Sequence, residues 1–203
     1  MHIPDGFLDI KTLATTNLIS ISFLFYVSRR ISKLILPERI PLMGIASAFV
    51  FTIQLIAFPV IGGTSVHLLG SVLISVLLGP GSGFLIISSA LILQSILFQH
   101  GGLISLGANI FNIGIIGCFL GYLIYRIYPS KILAAISSFL TTIIGAFFCV
   151  IELYISQRID FKVGLVAMLL SHLIIGIIEG AMTFLVLLAI ERIRPDLLNL
   201  DKI

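Results

Sequence analysis

Long apolar stretches occupy most of the chain, and short polar or Gly/Pro-rich segments separate them. A helix needs about 20 predominantly apolar residues to cross the hydrocarbon core of a bilayer. The pattern predicts seven such helices after an N-terminal segment of residues 1–9: roughly 10–34, 41–59, 66–79, 83–98, 104–126, 130–154 and 163–192. We therefore expect an all-α membrane protein, with residues 1–203 forming a single transmembrane domain and a bundle of seven transmembrane helices.

Composition narrows the class of protein further. Of the 203 residues, 59% are hydrophobic and only 10% are charged, whereas about 25% of the residues of an ordinary soluble domain are charged. So few polar residues exclude a cytosolic enzyme, a nucleic-acid-binding protein and a disordered chain. No basic residues precede the first apolar stretch in the manner of a signal peptide, so we expect the mature protein to keep its first residue.

The positions of lysine and arginine predict the orientation in the membrane, because cytoplasmic loops carry an excess of both. With the N-terminus outside and the C-terminus cytoplasmic, three basic residues lie outside: Lys11, Arg158 and Lys162. The other nine then lie on the cytoplasmic side: Arg29, Arg30, Lys33, Arg39, Arg126, Lys131, Arg192, Arg194 and Lys202. This orientation places the mostly uncharged connection at 59–66 outside, on the same side as the N-terminus.

Polar residues inside a bilayer are costly, and each is a candidate for function. The candidates are His2, His67, His100, His172, Glu152, Glu179, Gln54, Gln94, Asn109 and Asn112. His172 and Glu179 share a helix face, which fits either packing or a hydrogen-bonded pair or proton relay. We expect the amides to join helices or to brace outer loops, and Glu152 to reach water. His100 lies on the outer side, where it is either a loop residue or an entry ligand.

The first two residues form a potential chelate for a metal ion. The α-amine, the deprotonated amide nitrogen of His2 and His2 Nδ1 close a five-membered and a six-membered ring and lie nearly in one plane. One more imidazole completes a square of nitrogens, which suits Ni(II) or Cu(II) better than Zn(II). His67 is predicted on the same side of the membrane and supplies that imidazole. Taken separately, His2 fits an ordinary surface residue and His67 fits an interfacial one.

Four segments resemble the CbiM/NikM family, the substrate-binding membrane subunits (S-components) of energy-coupling-factor (ECF) transporters for cobalt and nickel: Met1–Leu8, Phe58–Gly70, Leu106–Asn112 and His172–Gly180. The resemblance implies a seven-helix fold with the N-terminal segment inserted into the bundle from outside. It implies that Met1 and His2 supply three nitrogens and His67 the fourth, in a square-planar site for the transported Ni²⁺ or Co²⁺. His100 stands where many family members carry Asp.

The resemblance also implies partners. These are a transmembrane coupling subunit and two cytoplasmic ATPase subunits, and the S-component reorients in the membrane to release the metal inside. The chain contains no Walker A pattern, in agreement with ATP hydrolysis by another subunit. The resemblance leaves open whether a separate small accessory membrane subunit also takes part. We therefore expect a multi-pass protein of a prokaryotic plasma membrane that is not itself an enzyme and has no catalytic cofactor.

Two other classes of function stay open at this point. A stand-alone divalent-metal permease driven by an ion gradient would rely on intramembrane carboxylates, of which Glu152 and Glu179 are the main ones. An intramembrane metalloenzyme would need an open metal position beside an acid or base, but His172 and Glu179 lie two helical turns apart, about 10 Å along the axis. Planar nitrogen ligation favours Ni²⁺ modestly over Co²⁺, and Cu²⁺ would bind at least as well.

Overall fold

The computed structural model describes residues 2–60 and 64–202, which form a helical bundle with one short hairpin. The helical segments are α1 (Ile10–Leu34), α2 (Ile40–Leu55), α3 (Ser71–Leu78), α4 (Pro80–Phe98), α5 (Leu106–Tyr125), α6 (Lys131–Ile155) and α7 (Phe161–Ile193). The hairpin consists of β1 (Ala57–Val60) and β2 (Thr64–His67). Short 3₁₀ segments precede α2 and follow α7, at Pro37–Arg39 and Pro195–Lys202.

Polar residues cap the helices at the points where their first N–H groups have no partner within the helix. Asp9 accepts a hydrogen bond from the Thr12 N–H at 3.0 Å and starts α1. Ser130 Oγ accepts from the Leu133 N–H at 3.1 Å and starts α6. Asp160 caps α7 in the same way. These side chains explain why helices begin directly after short polar segments.

The bundle is helical as predicted, but its helices differ in length. Within the described part of the chain, five helical segments are long and apolar enough to cross a bilayer: α1, α4, α5, α6 and α7. Segment α2 has 16 residues and α3 has 8, both shorter than the about 20 residues that a perpendicular span requires. The helices predicted over 41–59 and 66–79 are therefore shorter than expected, since α2 ends at Leu55 and α3 begins at Ser71.

The hairpin includes residues 57–59 and 66–67, which those two predictions assigned to helix. Its strands are antiparallel, with Ala57 opposite His67 and Val60 opposite Thr64. Pro59 lacks the N–H that a helix interior needs, and the neighbouring β-branched residues favour an extended backbone. Gly70 follows with a φ of +72°, a left-handed conformation that suits glycine and separates the strand from α3. His67 is thus a strand residue and does not lie at the start of a helix.

The core has two parts, which together hold the loops at the ends of the helices. In one part α4 packs against α1, α2 and α5, and Phe84 and Ile87 are completely buried there. In the other part α6 packs along α7. A Cβ atom on Gly180 of α7 would lie 2.9 Å from the carbonyl oxygen of Ala135 on α6, so the glycine permits this close approach. Both parts position the segments described next.

Candidate metal centre

Three histidine side chains meet at the end of the bundle where α1 begins and α4 ends. They come from three non-helical segments: His2 from the N-terminal segment, His67 from β2 and His100 from the loop between α4 and α5. His2 Nδ1 lies 2.6 Å from His67 Nε2, and one nitrogen of each ring lies within 4.8 Å of the other two. Imidazole nitrogens are common ligands of divalent transition metals, so this cluster is a candidate metal centre.

Asn109 on α5 holds the peptide group that follows His2. The Ile3 N–H donates to Asn109 Oδ1 at 2.7 Å, and Asn109 Nδ2 donates to the Ile3 carbonyl oxygen at 3.1 Å. The same carbonyl oxygen accepts from the Gly102 N–H at 2.9 Å and from Ser105 Oγ at 2.6 Å. Ile3 and Asn109 are both buried. The backbone beside His2 is therefore fixed by a complete set of buried hydrogen bonds.

Asp5 fastens the N-terminal segment to the loop that carries His100. Its carboxylate accepts hydrogen bonds from the backbone N–H groups of Leu103, Ile104 and Ser105, at 3.0, 2.9 and 3.0 Å. Hydrogen bonds to an ionised acceptor are stronger than those between neutral groups. Asp5 thus couples the position of His2 to the position of the loop.

Gly101 allows this loop to pack directly against the His2 ring. Its φ is +77°, and a Cβ atom there would lie 2.9 Å from His2 Cδ2 and 3.0 Å from Asn109 Nδ2. Carbon atoms in van der Waals contact lie about 3.5–4.0 Å apart. A side chain at position 101 would therefore displace the ring or the loop.

Hydrogen bonding sets which nitrogen of His67 faces the centre. His67 Nδ1 lies 2.9 Å from the Leu68 carbonyl oxygen. Because a carbonyl oxygen only accepts, Nδ1 carries the proton, and the lone pair of Nε2 points towards His2 Nδ1. This arrangement is the usual one for a metal-binding histidine, in which the second ring nitrogen is held by a backbone carbonyl or a carboxylate.

The segment after His67 is clamped by two helices. The Glu179 carboxyl group on α7 accepts hydrogen bonds from the Leu69 N–H at 2.9 Å and the Gly70 N–H at 2.6 Å. Gln54 Nε2 on α2 donates to the Leu69 carbonyl oxygen at 2.8 Å. These bonds satisfy backbone groups that have no helical partner, and they fix the end of the strand that carries His67.

The protonation state of the cluster favours metal binding. Burial lowers the pKa of His2, His67 and His100 below the usual value for histidine. The imidazoles are therefore neutral at neutral pH, which is the form that binds a metal. His2 Nε2 and His100 Nε2 are buried and have no hydrogen-bond partner among the described residues. Because unpartnered buried polar atoms are rare, the cluster contains more donor atoms than the protein itself uses.

The structure separates the remaining candidate residues by role. Met1 lies outside the described residues. His172 Nδ1 donates to the Met168 carbonyl oxygen at 2.8 Å, and Glu179 holds the Leu69 and Gly70 amides. Both side chains thus bond backbone groups, which fits the packing role that the sequence left open beside a hydrogen-bonded pair. The expectation that Glu152 reaches water is wrong. Its side chain is buried and accepts a hydrogen bond from Asn112 Nδ2 at 2.7 Å, because α5 and α6 pack together at this point.

The sequence alone does not reveal the roles of three residues at this centre. It predicts His100 on the outer side, but the position of His100 beside His2 and His67 depends on the turn after α4. It gives no specific indication of Asp5 or Gly101. A carboxylate four residues after the start of the chain and two consecutive glycines in an outer loop were the available signals, and neither indicates by itself which segment the loop contacts.

The chain resembles known transport proteins over nearly its whole length. The family model CbiM, described as the cobalt uptake substrate-specific transmembrane region, matches residues 2–197. A protein of Archaeoglobus fulgidus, named provisionally as the fused nickel transport protein NikMN, is 36% identical over 98% of this chain and 68% of its own length. The cobalt transport protein CbiM of Lachnoclostridium phytofermentans is 30% identical over 98% of this chain and 85% of its own length.

Solved structures show the same fold. A crystal structure of a transition metal transporter superposes with a TM-score of 0.89 at 31% identity, covering 95% of this chain and 93% of that one. A truncated transition metal transporter superposes with a TM-score of 0.88 at 31% identity, covering 95% of this chain and 99% of that one.

Proposed function

The chain belongs to the CbiM family, the cobalt uptake substrate-specific transmembrane region, and from this premise we propose that it captures Ni²⁺ or Co²⁺ outside the cell for uptake. The observation that carries the proposal is the 2.6 Å distance between His2 Nδ1 and His67 Nε2. Two neighbouring nitrogens of a square-planar ion, with bonds of about 2.0 Å, lie about 2.8 Å apart. The two imidazoles thus already have nearly the spacing of adjacent ligands.

Metal binding needs the proton between these two nitrogens to move. His67 Nδ1 bonds the Leu68 carbonyl oxygen, so the hydrogen bond between the rings needs the proton on His2 Nδ1. Transfer of that proton to His2 Nε2 keeps the imidazole neutral and leaves both lone pairs free to bind one ion. We propose that the α-amine of Met1 and the deprotonated amide nitrogen of His2 complete a planar set of four nitrogens, in which His67 lies opposite the amide nitrogen.

The hydrogen bonds around the N-terminal segment support this arrangement. A chelate built from a chain terminus is flexible unless the terminus is held, and a fixed ligand set loses less entropy on binding. Asn109 and Asp5 hold the segment on both sides of the turn that follows His2. The His2 ring is thus positioned beside His67 before the ion arrives.

We propose that the centre faces the outside of the cell and that the N-terminus is therefore external. The end of the bundle that contains the centre also carries Lys11, Arg158 and Lys162. The other nine Lys and Arg residues lie at the opposite end of the bundle. Cytoplasmic segments carry the excess of basic residues. The low positive charge near the centre also favours the approach of a divalent cation.

We further propose that a transmembrane coupling subunit and cytoplasmic ATPase subunits drive the uptake. Uphill transport by a chain that lacks a Walker A motif needs either ATP hydrolysis by another protein or an ion gradient. Vesicles that contain the chain with such subunits should accumulate ⁶³Ni²⁺ only when ATP is present. Accumulation by the chain alone under a proton gradient and without ATP would instead identify a stand-alone permease.

Nickel titration of the purified protein tests the proposed ligand set. With a free amino terminus and any tag at the C-terminus, the protein should bind one Ni²⁺ ion. Two alanines added before Met1 should weaken binding by more than about 100-fold, the upper limit of what the loss of an outer ligand contact costs, and His67→Ala should do the same. Two alanines added after Ile203 are the matched control. Normal affinity in the N-terminally extended protein would show that the terminal amine is not a ligand.

A further inference from the structure

The loop between α4 and α5 brings a third imidazole to the centre, one more than a planar set of four nitrogens uses. The His100 ring centroid lies 4.4 Å from that of His2 and 5.3 Å from that of His67. His100 Nε2 is buried without a hydrogen-bond partner among the described residues. A buried nitrogen in that state has a desolvation cost that no protein group offsets, which suggests that a ligand from outside the protein offsets it.

The position of His100 is determined by contacts on both sides of it. The His100 N–H donates to the Gln94 carbonyl oxygen at 3.2 Å, which folds the loop back onto the end of α4. Gln99 and Gly101, the residues before and after it, have φ angles of +51° and +77°. The three bonds to Asp5 then tie the rest of the loop to the N-terminal segment. The ring is therefore directed to His2 by the backbone.

We infer that His100 supplies a fifth, apical nitrogen to the metal ion held by His2 and His67. This inference rests on the proposed function, because the four planar positions must be filled by the terminal amine, the His2 amide, His2 Nδ1 and His67 Nε2. A further donor then has access only from above or below the plane. The His100 side chain is only partly buried, so its ring has room to turn onto the ion.

An apical imidazole reduces the preference of the centre for Ni²⁺ over Co²⁺. Ni(II) in a strong planar nitrogen field is stable with four ligands, whereas Co(II) accepts additional ones. Affinity otherwise rises from Co²⁺ to Ni²⁺ in a given set of nitrogen ligands. His100 therefore stabilises bound Co²⁺ more than bound Ni²⁺ and narrows the difference between them. The residue determines specificity through the number of ligands and leaves the planar chelate unchanged.

Replacing His100 with glutamine tests this assignment, since glutamine keeps a polar side chain of similar length and removes the imidazole. The Co²⁺ affinity should fall by at least about tenfold, the lower limit of what the loss of a supporting contact costs, and the Ni²⁺ affinity should fall less. Gln157→Gly is the matched control. It changes an exposed glutamine that also has a positive φ but lies in the loop between α6 and α7, and it should leave both affinities unchanged. His100→Ala repeats the test in case the glutamine variant folds poorly.

X-ray absorption at the nickel edge separates a ligand from a residue that only supports the loop. A four-coordinate planar nickel ion shows a distinct 1s→4p pre-edge feature, which an apical ligand suppresses. The feature should be weak in the nickel-loaded wild-type protein and strong in both His100 variants. An equally strong feature in all proteins would overturn the apical ligand while leaving the proposed function intact.

A second outcome would refute the premise itself. If the protein with two alanines before Met1 binds Co²⁺ at wild-type affinity with the intense visible bands of tetrahedral cobalt, the three imidazoles bind the ion without the terminal amine. The proposed planar set and the apical role of His100 would then both be wrong.

Discussion

Gly101→Ala is expected to weaken metal binding through the His2 ring, although Gly101 is not itself a ligand. A Cβ atom at this position would lie 2.9 Å from His2 Cδ2, about 0.6 Å closer than the short end of carbon–carbon contact distances, about 3.5 Å. Metal–ligand distances tolerate errors of only about 0.2 Å. A displacement of this size therefore moves His2 Nδ1 out of bonding position, and we expect nickel affinity to fall by at least about tenfold, or about 1.4 kcal/mol.

Backbone strain is the alternative explanation of any such loss, because Gly101 has a φ of +77° and a non-glycine residue in that region costs roughly 1–2 kcal/mol. Gly79→Ala controls for it. Gly79 has a φ of +81° and no atom within 4 Å of its Cβ position, and it lies between α3 and α4. Thermal unfolding should show that both variants are destabilised, and calorimetric nickel titration should show weaker binding only in Gly101→Ala. Wild-type affinity in Gly101→Ala, or equal loss in both variants, would refute the steric reasoning.

Two further substitutions test how the imidazoles of His2 and His67 are positioned. Asn109→Ala leaves the buried N–H of Ile3 without an acceptor, a cost of roughly 1–3 kcal/mol, and should lower nickel affinity by about tenfold in titration. Asn17→Ala, which removes an amide that joins α1 to the start of α5, should lower stability alone, and equal affinity losses would contradict a specific role for Asn109. Glu179→Ala removes the acceptor of two buried N–H groups behind His67 and should lower stability by roughly 2 kcal/mol. It should also weaken nickel binding, and unchanged affinity would show that the strand keeps its place without the clamp.

The helical bundle was predictable from the sequence because hydrophobic stretches long enough to span a membrane have few alternative structures. The hairpin was not predictable in this way. Residues 57–67 are largely apolar, and a short apolar run fits a strand as well as a helix. Pro59 and Gly70 were the local indications that the helices stop, and their effect depends on the clamp that Glu179 and Gln54 provide from distant helices.

The sequence predicted the chemistry of the candidate site, but it predicted only some of the residues that form the site. His2 and His67 stood out because polar groups are rare in this chain and because a terminal His2 forms a chelate with known ring sizes. His100 belongs to the same cluster, but its place depends on the positive φ angles of Gln99 and Gly101 and on Asp5. Such contacts between distant segments have no signature in a hydrophobicity pattern.

The buried polar side chains near the centre share one physical task, the bracing of non-helical segments, which the sequence left open for the amides beside helix-to-helix bonding. Asn109, Glu179 and Gln54 each bond the backbone of a non-helical segment, at Ile3, Leu69 or Gly70. Non-helical backbone within a membrane protein must find partners inside the protein, since lipid provides none.

The helices therefore supply the hydrogen bonds that the N-terminal segment and the hairpin lack, and in return these segments satisfy side chains that would be costly in an apolar interior. A centre built from the chain terminus and two loops needs this support. The loss of one of these buried amide or carboxyl groups should therefore weaken metal binding, although none of them is a metal ligand.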